Sequence, residues 1–316
     1  MASLALKILR LAAVVAAGAA AATADASGWS ASERLETPRA GLAATAAGDL
    51  IFVGGGAAAG DPTTAFDVFD AAKESWRPLP ALPKGLMSFA MTVSGTQVFI
   101  SGGYAADAPG EPRKEVWAYD TESASWSRKA SLPHARAAHA MVEVKGRLYV
   151  IGGNGPEAGK TLIYDTANDK WTTGPSLPTS RRAVGAATDG KRIYVVGGIK
   201  SDGSVSSAFD VFDPSANTWT SLPPLPTPRG ALTAAIIDGS VHVTGGATWR
   251  PLKTFASHDV FDLRAQAWSK EAPLPTARQG MASGVAAGRW WVIGGGSGAG
   301  VFGVFTASDA VEAFEP

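Results

Sequence analysis

Short apolar runs that end in a pair of glycines recur along the chain and dominate its hydrophobic pattern. The glycine pairs are Gly54-Gly55, Gly102-Gly103, Gly152-Gly153, Gly197-Gly198, Gly245-Gly246 and Gly294-Gly295, at spacings of 48, 50, 45, 48 and 49 residues. A period of this length predicts one small sheet built six times. Because a single unit is too short to bury its own faces, the units are expected to stack into a ring.

Each unit carries further landmarks at constant distances. A tryptophan lies six residues after an aspartate that ends an aromatic strand, and an arginine usually follows ten residues later. The tryptophans are Trp76, Trp126, Trp171, Trp219 and Trp268, and the arginines are Arg136, Arg181, Arg229 and Arg278, with Leu86 in place of arginine in the second unit. The apolar segment between the arginine and the glycine pair is split by a small turn, which is typical of a hairpin. We therefore predict an all-β chain with four antiparallel strands per unit.

The order and spacing of glycine pair, aromatic residue and tryptophan resemble the kelch repeat, over nearly all of residues 25–316. Kelch repeats form the blades of a β-propeller, so the resemblance implies a six-bladed kelch β-propeller around a central channel. The sixth unit ends without its own tryptophan, whereas Trp29 precedes Arg39 by the usual ten residues. We expect the N-terminal strand around Trp29 to complete the last blade, which leaves no open sheet edge there.

Residues 1–24 have the composition of a secretory signal peptide. Lys7 and Arg10 precede a run of alanine, valine and leucine over residues 11–22, and Ala22-Thr23-Ala24 is typical of a cleavage site. The run is shorter than the roughly 20 residues that cross a bilayer. We expect a periplasmic or secreted protein without stable membrane insertion, and a retained membrane anchor is the alternative.

Charge and cysteine content exclude several classes of function. Removal of residues 1–24 leaves 26 of the 28 basic residues against 28 acidic ones, and such a neutral chain is not typical of nucleic-acid binding. The absence of cysteine excludes disulfides and the cysteine-tyrosine cofactor of galactose oxidase-type kelch propellers. The four histidines show no ligand spacing, so we expect no metal and no cofactor. We also expect a monomer.

The candidate ligand site comes from the kelch resemblance and from residues that occur once. In kelch propellers the loop after the glycine pair and the loop before the innermost strand share one face, where many members bind partners. Polar or aromatic residues found there in single units are Tyr104, Asn154, Arg182, Lys200, Trp249, Arg250 and Gln279. An aromatic face beside hydrogen-bonding groups suits a sugar or a peptide. A Trp249 ring folded over its own blade edge is the alternative.

Three further features each allow two interpretations. The recurring arginines either bond carbonyls of the adjacent blade or face the channel mouth, and their repetition favours the structural role. His139 occupies a position that is apolar in the other units, which favours a core histidine over a catalytic one. Glu143 is the only charge on any predicted innermost strand, where it either lines the channel or forms a salt bridge to a neighbouring blade.

From these features we expect an exported kelch propeller that acts as a binding or interaction module for a peptide, protein or glycan. The alternative is a carbohydrate-active enzyme such as a sialic acid mutarotase or epimerase, an activity found among exported kelch propellers. That resemblance implies an arginine that holds the carboxylate of the sugar and an acid or base that opens its ring. Arg182 and either Glu111 or Glu143 would take those roles.

Overall fold

The computed structural model describes residues 28–316, so the predicted signal peptide lies outside the described residues. Residues 28–316 form six four-stranded antiparallel sheets, the blades, which confirms the predicted all-β six-bladed propeller. From the inner strand at the channel to the outer strand at the rim, the strands are Ala43–Ala47, Leu50–Gly54, Phe66–Asp70 and Ser75–Pro78 (blade 1); Ala90–Ser94, Gln97–Ser101, Val116–Asp120 and Ser125–Lys129 (blade 2); Ala140–Val144, Arg147–Ile151, Lys160–Asp165 and Lys170–Ser176 (blade 3); Gly185–Thr188, Ile193–Val196, Phe209–Asp213 and Thr218–Leu222 (blade 4); Thr233–Ile237, Ser240–Thr244, His258–Asp262 and Ala267–Glu271 (blade 5); and Ala282–Ala286, Arg289–Ile293, Val311–Phe314 and Trp29–Ala31 (blade 6). No helix within this described range is long and apolar enough to cross a membrane.

This topology gives the propeller two different faces. The glycine face contains the segments that follow the glycine pairs and the segments that enter the inner strands, and the turn face contains the turns at the other strand ends. On the glycine face, Ala57–Ala58 pairs with Asp61–Pro62 in blade 1, and Ala247–Trp249 pairs with Leu252–Thr254 in blade 5. Blade 6 adds the short 3-10 helix Gly300–Phe305 to the same face.

The N-terminal strand closes blade 6, as the sequence predicts. Trp29 pairs with Phe314, and Ala31 pairs with Glu312, in antiparallel register. The Trp29 ring is buried, and its indole N–H donates to the carbonyl oxygen of Ala272 at 2.9 Å. Both ends of the described chain therefore share one sheet, and this sheet is fastened to blade 5.

The other outer-strand tryptophans repeat both contacts of Trp29. Each of these rings lies against an aromatic ring of the third strand in its own blade, with ring centroids 4.8 to 5.3 Å apart. Each indole N–H also donates to a backbone carbonyl at or just after the outer strand of the preceding blade. Six apolar clusters fill the interfaces between neighbouring blades of residues 28–316. Trp29 is buried and contributes a few kcal/mol to this packing, whereas the other five outer-strand tryptophans are half-buried and contribute less.

The first glycine pair is Gly55-Gly56, one residue later than the sequence pattern predicts. Gly54 ends the second strand, whereas Gly55 and Gly56 have φ angles of 56° and 91°, close to the 61° and 91° of the second pair. A Cβ at Gly55 would collide with the carbonyl oxygen of Leu86 at the entrance to blade 2. The left-handed backbone and the close approach of the next blade both require glycine here.

Six backbone hydrogen bonds form a closed ring around the channel mouth on the glycine face. Each joins a residue just before an inner strand to the same position in the preceding blade, with N···O distances of 2.7 to 2.8 Å. The ring residues are Gly41, Ser88, Ala138, Ala183, Ala231 and Gly280, and all six have positive φ angles. The ring closes between blades 1 and 6, where the Gly41 N–H donates to the Gly280 carbonyl oxygen.

The recurring arginines are structural, but their side chains bond to their own blade and not to the adjacent one. At this position the described residues hold five arginines, each at most 2% exposed. Arg181 donates to the carbonyl oxygen of Gly197 and pairs with Asp210 at 2.9 Å, and Arg229 makes the equivalent contacts. Arg136 bonds only to backbone carbonyls, and burial without a nearby carboxylate lowers its pKa to about 10.

Replacement of Trp29 by alanine is expected to lower the free energy of unfolding by about 3 to 5 kcal/mol, because it empties a packed site in the closing blade. A protein that begins at Arg39 loses the whole outer strand of blade 6, so we expect a larger loss. Urea unfolding measures both effects. Phe302→Ala is the control, since this ring is 54% exposed and its loss is expected to change the value by less than about 0.5 kcal/mol. Equal stability of the wild type and Trp29→Ala would contradict the closing role of this strand.

Candidate functional site

A cavity of about 240 Å³ lies on the glycine face at the mouth of the channel. Its floor is the hydrogen-bonded ring, because all six ring residues line it. Glycine, alanine and serine are small, so the ring leaves a recess above the channel instead of filling it. The residues beside the ring then decide what this recess binds.

Four of the seven candidate residues line this cavity, namely Tyr104, Arg182, Trp249 and Gln279. Tyr104 directly follows the second glycine pair, and Arg182 and Gln279 directly follow the buried arginines of blades 4 and 6. Isolated β-bridges hold these three residues beside the ring. Trp249 ends the first strand of the blade 5 hairpin and faces Gly300, so it joins two blades and does not only cover its own blade edge.

Arg182 is the cationic side chain of this cavity. Its side chain is half-buried, and within residues 28–316 its guanidinium has no carboxylate partner within 4.0 Å. The preceding Arg181, in contrast, is buried and paired with Asp210. No aspartate or glutamate of the described chain lines the cavity. A guanidinium without a counter-ion in a recess beside Ile199 and Trp249 favours the binding of a carboxylate or another anionic group.

Gln279 shapes the wall of the cavity. Its side chain is 4% exposed, and its amide nitrogen donates to the carbonyl oxygens of Gly298 and Gly300, both at 2.7 Å. These bonds hold the 3-10 helix Gly300–Phe305 at the edge of the cavity. The amide donors are thus engaged with the protein itself, and Gln279 determines the position of the helix.

The other three candidate residues lie outside the cavity lining. Asn154 is exposed, and its side-chain nitrogen donates to the Tyr104 hydroxyl oxygen at 2.8 Å. This bond gives Asn154 a positioning role toward Tyr104. Lys200 and Arg250 lie in the loops of blades 4 and 5, and neither reaches the cavity.

An exposed apolar patch that the repeat pattern does not predict borders the cavity. Leu252, Val301, Phe302 and Phe305 are 54 to 70% exposed. The last three belong to the 3-10 helix, and Leu252 lies beside Gly300 at the start of this helix, so we call these four residues the apolar patch. Val301 also lines the cavity, which makes the two surfaces continuous. Large apolar side chains that cluster at a surface mark interaction sites. The available signal is the run VFGVF after the last glycine pair, which follows neither strand alternation nor the repeat.

The buried histidines belong to the core. A ring nitrogen of His139 lies 2.9 Å from the Ser101 hydroxyl, and burial lowers the pKa of His139 to about 3. Ring nitrogens of His242 and His258 lie 3.0 Å apart beside Trp29, and burial lowers their pKa values to about 4 and about 3. All three rings are therefore neutral at neutral pH. Among residues 28–316, no three potential metal ligands gather at one place.

Glu143 does not form the salt bridge to a neighbouring blade that is one of the two roles the sequence suggests. It lies near the turn-face end of the inner strand of blade 3, where its carboxylate accepts a hydrogen bond from the Gly146 N–H of the following turn. It does not line the channel-mouth cavity, and within residues 28–316 it has no cationic partner within 4.0 Å. Arg182 and Glu143 are thus on opposite faces of the propeller. Glu111, in the blade 2 loop, also lies outside the cavity lining.

The blades, the repeated glycine and tryptophan contacts and the recess over the channel together define a kelch-type β-propeller. The family model described as "KLHDC2/KLHL20/DRC7 Kelch-repeats domain" matches residues 21–153 and 138–312. The chain belongs to this family of kelch-repeat domains.

Individual relatives match shorter parts of the chain. Kelch-like protein 25 of Xenopus tropicalis is 34% identical over 82 residues, which are 26% of this chain and 14% of the relative. Kelch-like protein 35 of Mus musculus is 30% identical over 88 residues, which are 28% of this chain and 14% of the relative. The solved structure "Structure of YjhT" matches with a TM-score of 0.77 and 18% identity, over 88% of this chain and 95% of that chain. This last likeness shows a shared fold.

The buried histidines predict a loss of stability in mild acid. Between pH 6.5 and the lowered pKa values, the unfolded chain binds protons at these histidines and the folded chain does not, so the free energy of unfolding falls as the pH falls. We expect His139→Leu to flatten this slope by up to about 1.4 kcal/mol per pH unit between pH 6.5 and 4.5.

Urea unfolding across this pH range measures the slope for both proteins. Leucine is a suitable replacement because Leu42 and Leu232 occupy the equivalent positions in blades 1 and 5. Parallel curves for the wild type and His139→Leu would refute the burial of a neutral His139.

Proposed function

We propose that this protein is an interaction module that binds a protein or peptide segment at the channel-mouth cavity. The single observation that carries the proposal is the Arg182 guanidinium, which lacks an ionic partner in the described chain and stands in a recess continuous with the apolar patch. A peptide segment with a carboxylate and an apolar side chain can contact both surfaces, because the carboxylate pairs with Arg182 and the apolar side chain packs on the apolar patch. Family membership supports an interaction role, because kelch propellers commonly mediate protein interactions.

The cavity supports binding better than it supports opening of a sugar ring. General acid-base chemistry needs a titratable group within hydrogen-bond reach of the reacting atoms. Glu143 is on the turn face, and neither it nor Glu111 lines the cavity. Tyr104 also lines the cavity, and its hydroxyl oxygen accepts a hydrogen bond from Asn154. Because neither carboxylate stands beside Arg182, we base the proposal on recognition of a ligand and not on catalysis. A glycan ligand and mutarotase activity are therefore alternative outcomes of the binding experiment and are not part of the proposal.

We also propose that the protein is exported to the periplasm or secreted. The support is the basic start, the apolar run over residues 11–22 and the small residues at 22–24. Fusion of residues 1–27 to a reporter enzyme that is active only after export tests this proposal. Reporter activity that disappears when the apolar run is interrupted by charges is the expected result, and an inactive fusion protein that remains in the cytoplasm would contradict the proposal.

Binding of acidic, apolar peptides is expected to depend on Arg182 and Trp249. A peptide array and a glycan array, probed with purified protein, identify a ligand, and titration calorimetry measures its dissociation constant. Arg182→Ala is expected to weaken binding of a carboxylate-bearing peptide tenfold or more, because the charge-assisted hydrogen bonds in the recess are lost. Trp249→Ala is expected to weaken it similarly through loss of the apolar wall.

Arg250→Ala is the matched control. Arg250 directly follows Trp249 and carries the same charge as Arg182, but it is exposed and lies outside the cavity. We expect its dissociation constant to stay within about twofold of the wild type. Equal dissociation constants for the wild type, Arg182→Ala and Trp249→Ala would contradict the proposed site. Binding of glycans alone, or anomeric exchange of sialic acid by the purified protein, would replace the proposal by the carbohydrate alternative.

A further inference from the structure

A second concave surface lies on the turn face, between blades 3 and 4. This groove has a volume of about 570 Å³, compared with about 240 Å³ for the channel-mouth cavity. Its lining includes the cations Lys145, Arg147, Lys191 and Arg192. They come from the turns that join the inner and second strands of the two blades. We call it the basic groove.

The other blades show that the fold does not require these cations. The equivalent turns need only a tight reversal of the chain, and all four place a glycine with a positive φ angle there, namely Gly48, Gly95, Gly239 and Gly288. In blades 1, 2 and 5, the first residues of the second strands are Leu50, Gln97 and Ser240. Blade 6 has Arg289 at this position, and that arginine pairs with Glu74 at 2.8 Å. Among the described blades, two adjacent turns that each carry two cations are thus particular to blades 3 and 4.

The cations of the basic groove are poorly neutralised. Lys145, Arg147 and Lys191 have no carboxylate within 4.0 Å in the described part of the chain. Arg192 lies 3.7 Å from Asp189, but it is about half exposed. An exposed pair of this kind contributes at most about 1 kcal/mol. All four side chains therefore remain available to a ligand.

The nearby carboxylates accept hydrogen bonds from the turns that hold them. Asp165 lies across the strand pair from Arg147 and accepts the N–H groups of Ala167 and Asn168. Glu143 accepts the Gly146 N–H. Asp213, which lines the groove, accepts hydrogen bonds from the N–H and the hydroxyl of Ser215, and these bonds lower its pKa. Asp189 accepts the N–H groups of Lys191 and Arg192. Within residues 28–316, the lining therefore presents four cations against the single carboxylate of Asp213. A concave surface whose lining carries an excess of one sign of charge concentrates ions of the opposite sign.

We propose that the basic groove is an anion site for a ligand with two or more phosphate or sulfate groups. The cations come from two different blades, so a ligand that engages all of them must carry charge at more than one point. Arg147 and Arg192 provide planar donors that match phosphate or sulfate oxygens. The volume is within the 300 to 1,000 Å³ that is usual for ligand sites. This site is on the opposite face from Arg182 and is independent of the proposed peptide binding.

The test uses inorganic tripolyphosphate as the probe and titration calorimetry on the full chain in a low-salt buffer. We expect saturable binding that weakens as the salt concentration rises, because surface charges are screened. Phosphate monoanion and sulfate are the single-charge-centre comparisons and are expected to bind at least tenfold more weakly. The double variant Arg147→Gln with Arg192→Gln is expected to bind tripolyphosphate at least tenfold more weakly, and glutamine is chosen because Gln97 occupies the equivalent place in blade 2.

Arg250→Gln is the matched control, since it removes the same charge from an exposed residue of the glycine face that lines neither the basic groove nor the channel-mouth cavity. It is expected to bind tripolyphosphate like the wild type, and thermal unfolding confirms that all variants are folded. Equal affinity of the wild type and the double variant would overturn the proposal. Equal affinity for phosphate and tripolyphosphate would overturn the requirement for several charged groups. Tighter binding of a DNA oligonucleotide, or of vesicles with anionic lipids, would assign the groove to a macromolecular surface instead.

Discussion

Six backbone hydrogen bonds, one between each pair of neighbouring blades, close a ring at the channel mouth, and much of the structure depends on it. Each ring residue has a left-handed backbone, so its N–H and its carbonyl point to the two neighbouring blades. Small side chains at the ring leave the recess above the channel open. The ring is complete only when blade 6 contacts blade 1, and blade 6 needs the strand around Trp29. The contact between blades 6 and 1 that closes the propeller therefore also completes the floor of the cavity.

The repeat separates structural residues from residues with another role. Arg181 has counterparts in four other blades, and all of these side chains are buried in hydrogen bonds to their own blades. Arg182 directly follows it, has no counterpart of the same charge and faces a cavity without an ionic partner among residues 28–316. The same comparison distinguishes two arginines at equivalent positions. Arg289 pairs with Glu74, whereas Arg147 has no carboxylate within 4.0 Å among residues 28–316. Because the unit occurs six times, a residue at any position can be compared with the residues at the same position of the other blades.

Much of the fold can be predicted from the sequence, and less of the candidate site. Trp29 is recognisable because its distance from Arg39 equals the distance in complete repeats. The first glycine pair is misplaced by one residue because Gly54, Gly55 and Gly56 are identical in type and only the backbone angles distinguish them. Tyr104, Arg182 and Gln279 converge because each holds a fixed place beside the ring. Lys200 and Arg250 lie in loops whose paths the repeat does not define.

The sequence by itself determines the number of blades, the closing strand and whether a residue lies nearer the glycine face or the turn face. The reason is that the spacing of the landmarks and the alternation of strand direction fix these features. Only the tertiary structure decides which side chains lack partners. The counter-ion of a charge sits on another strand or another blade, and no spacing in the chain reveals whether it is within reach. The open guanidinium of Arg182, the apolar patch and the cations of the basic groove become visible only once the blades are placed side by side.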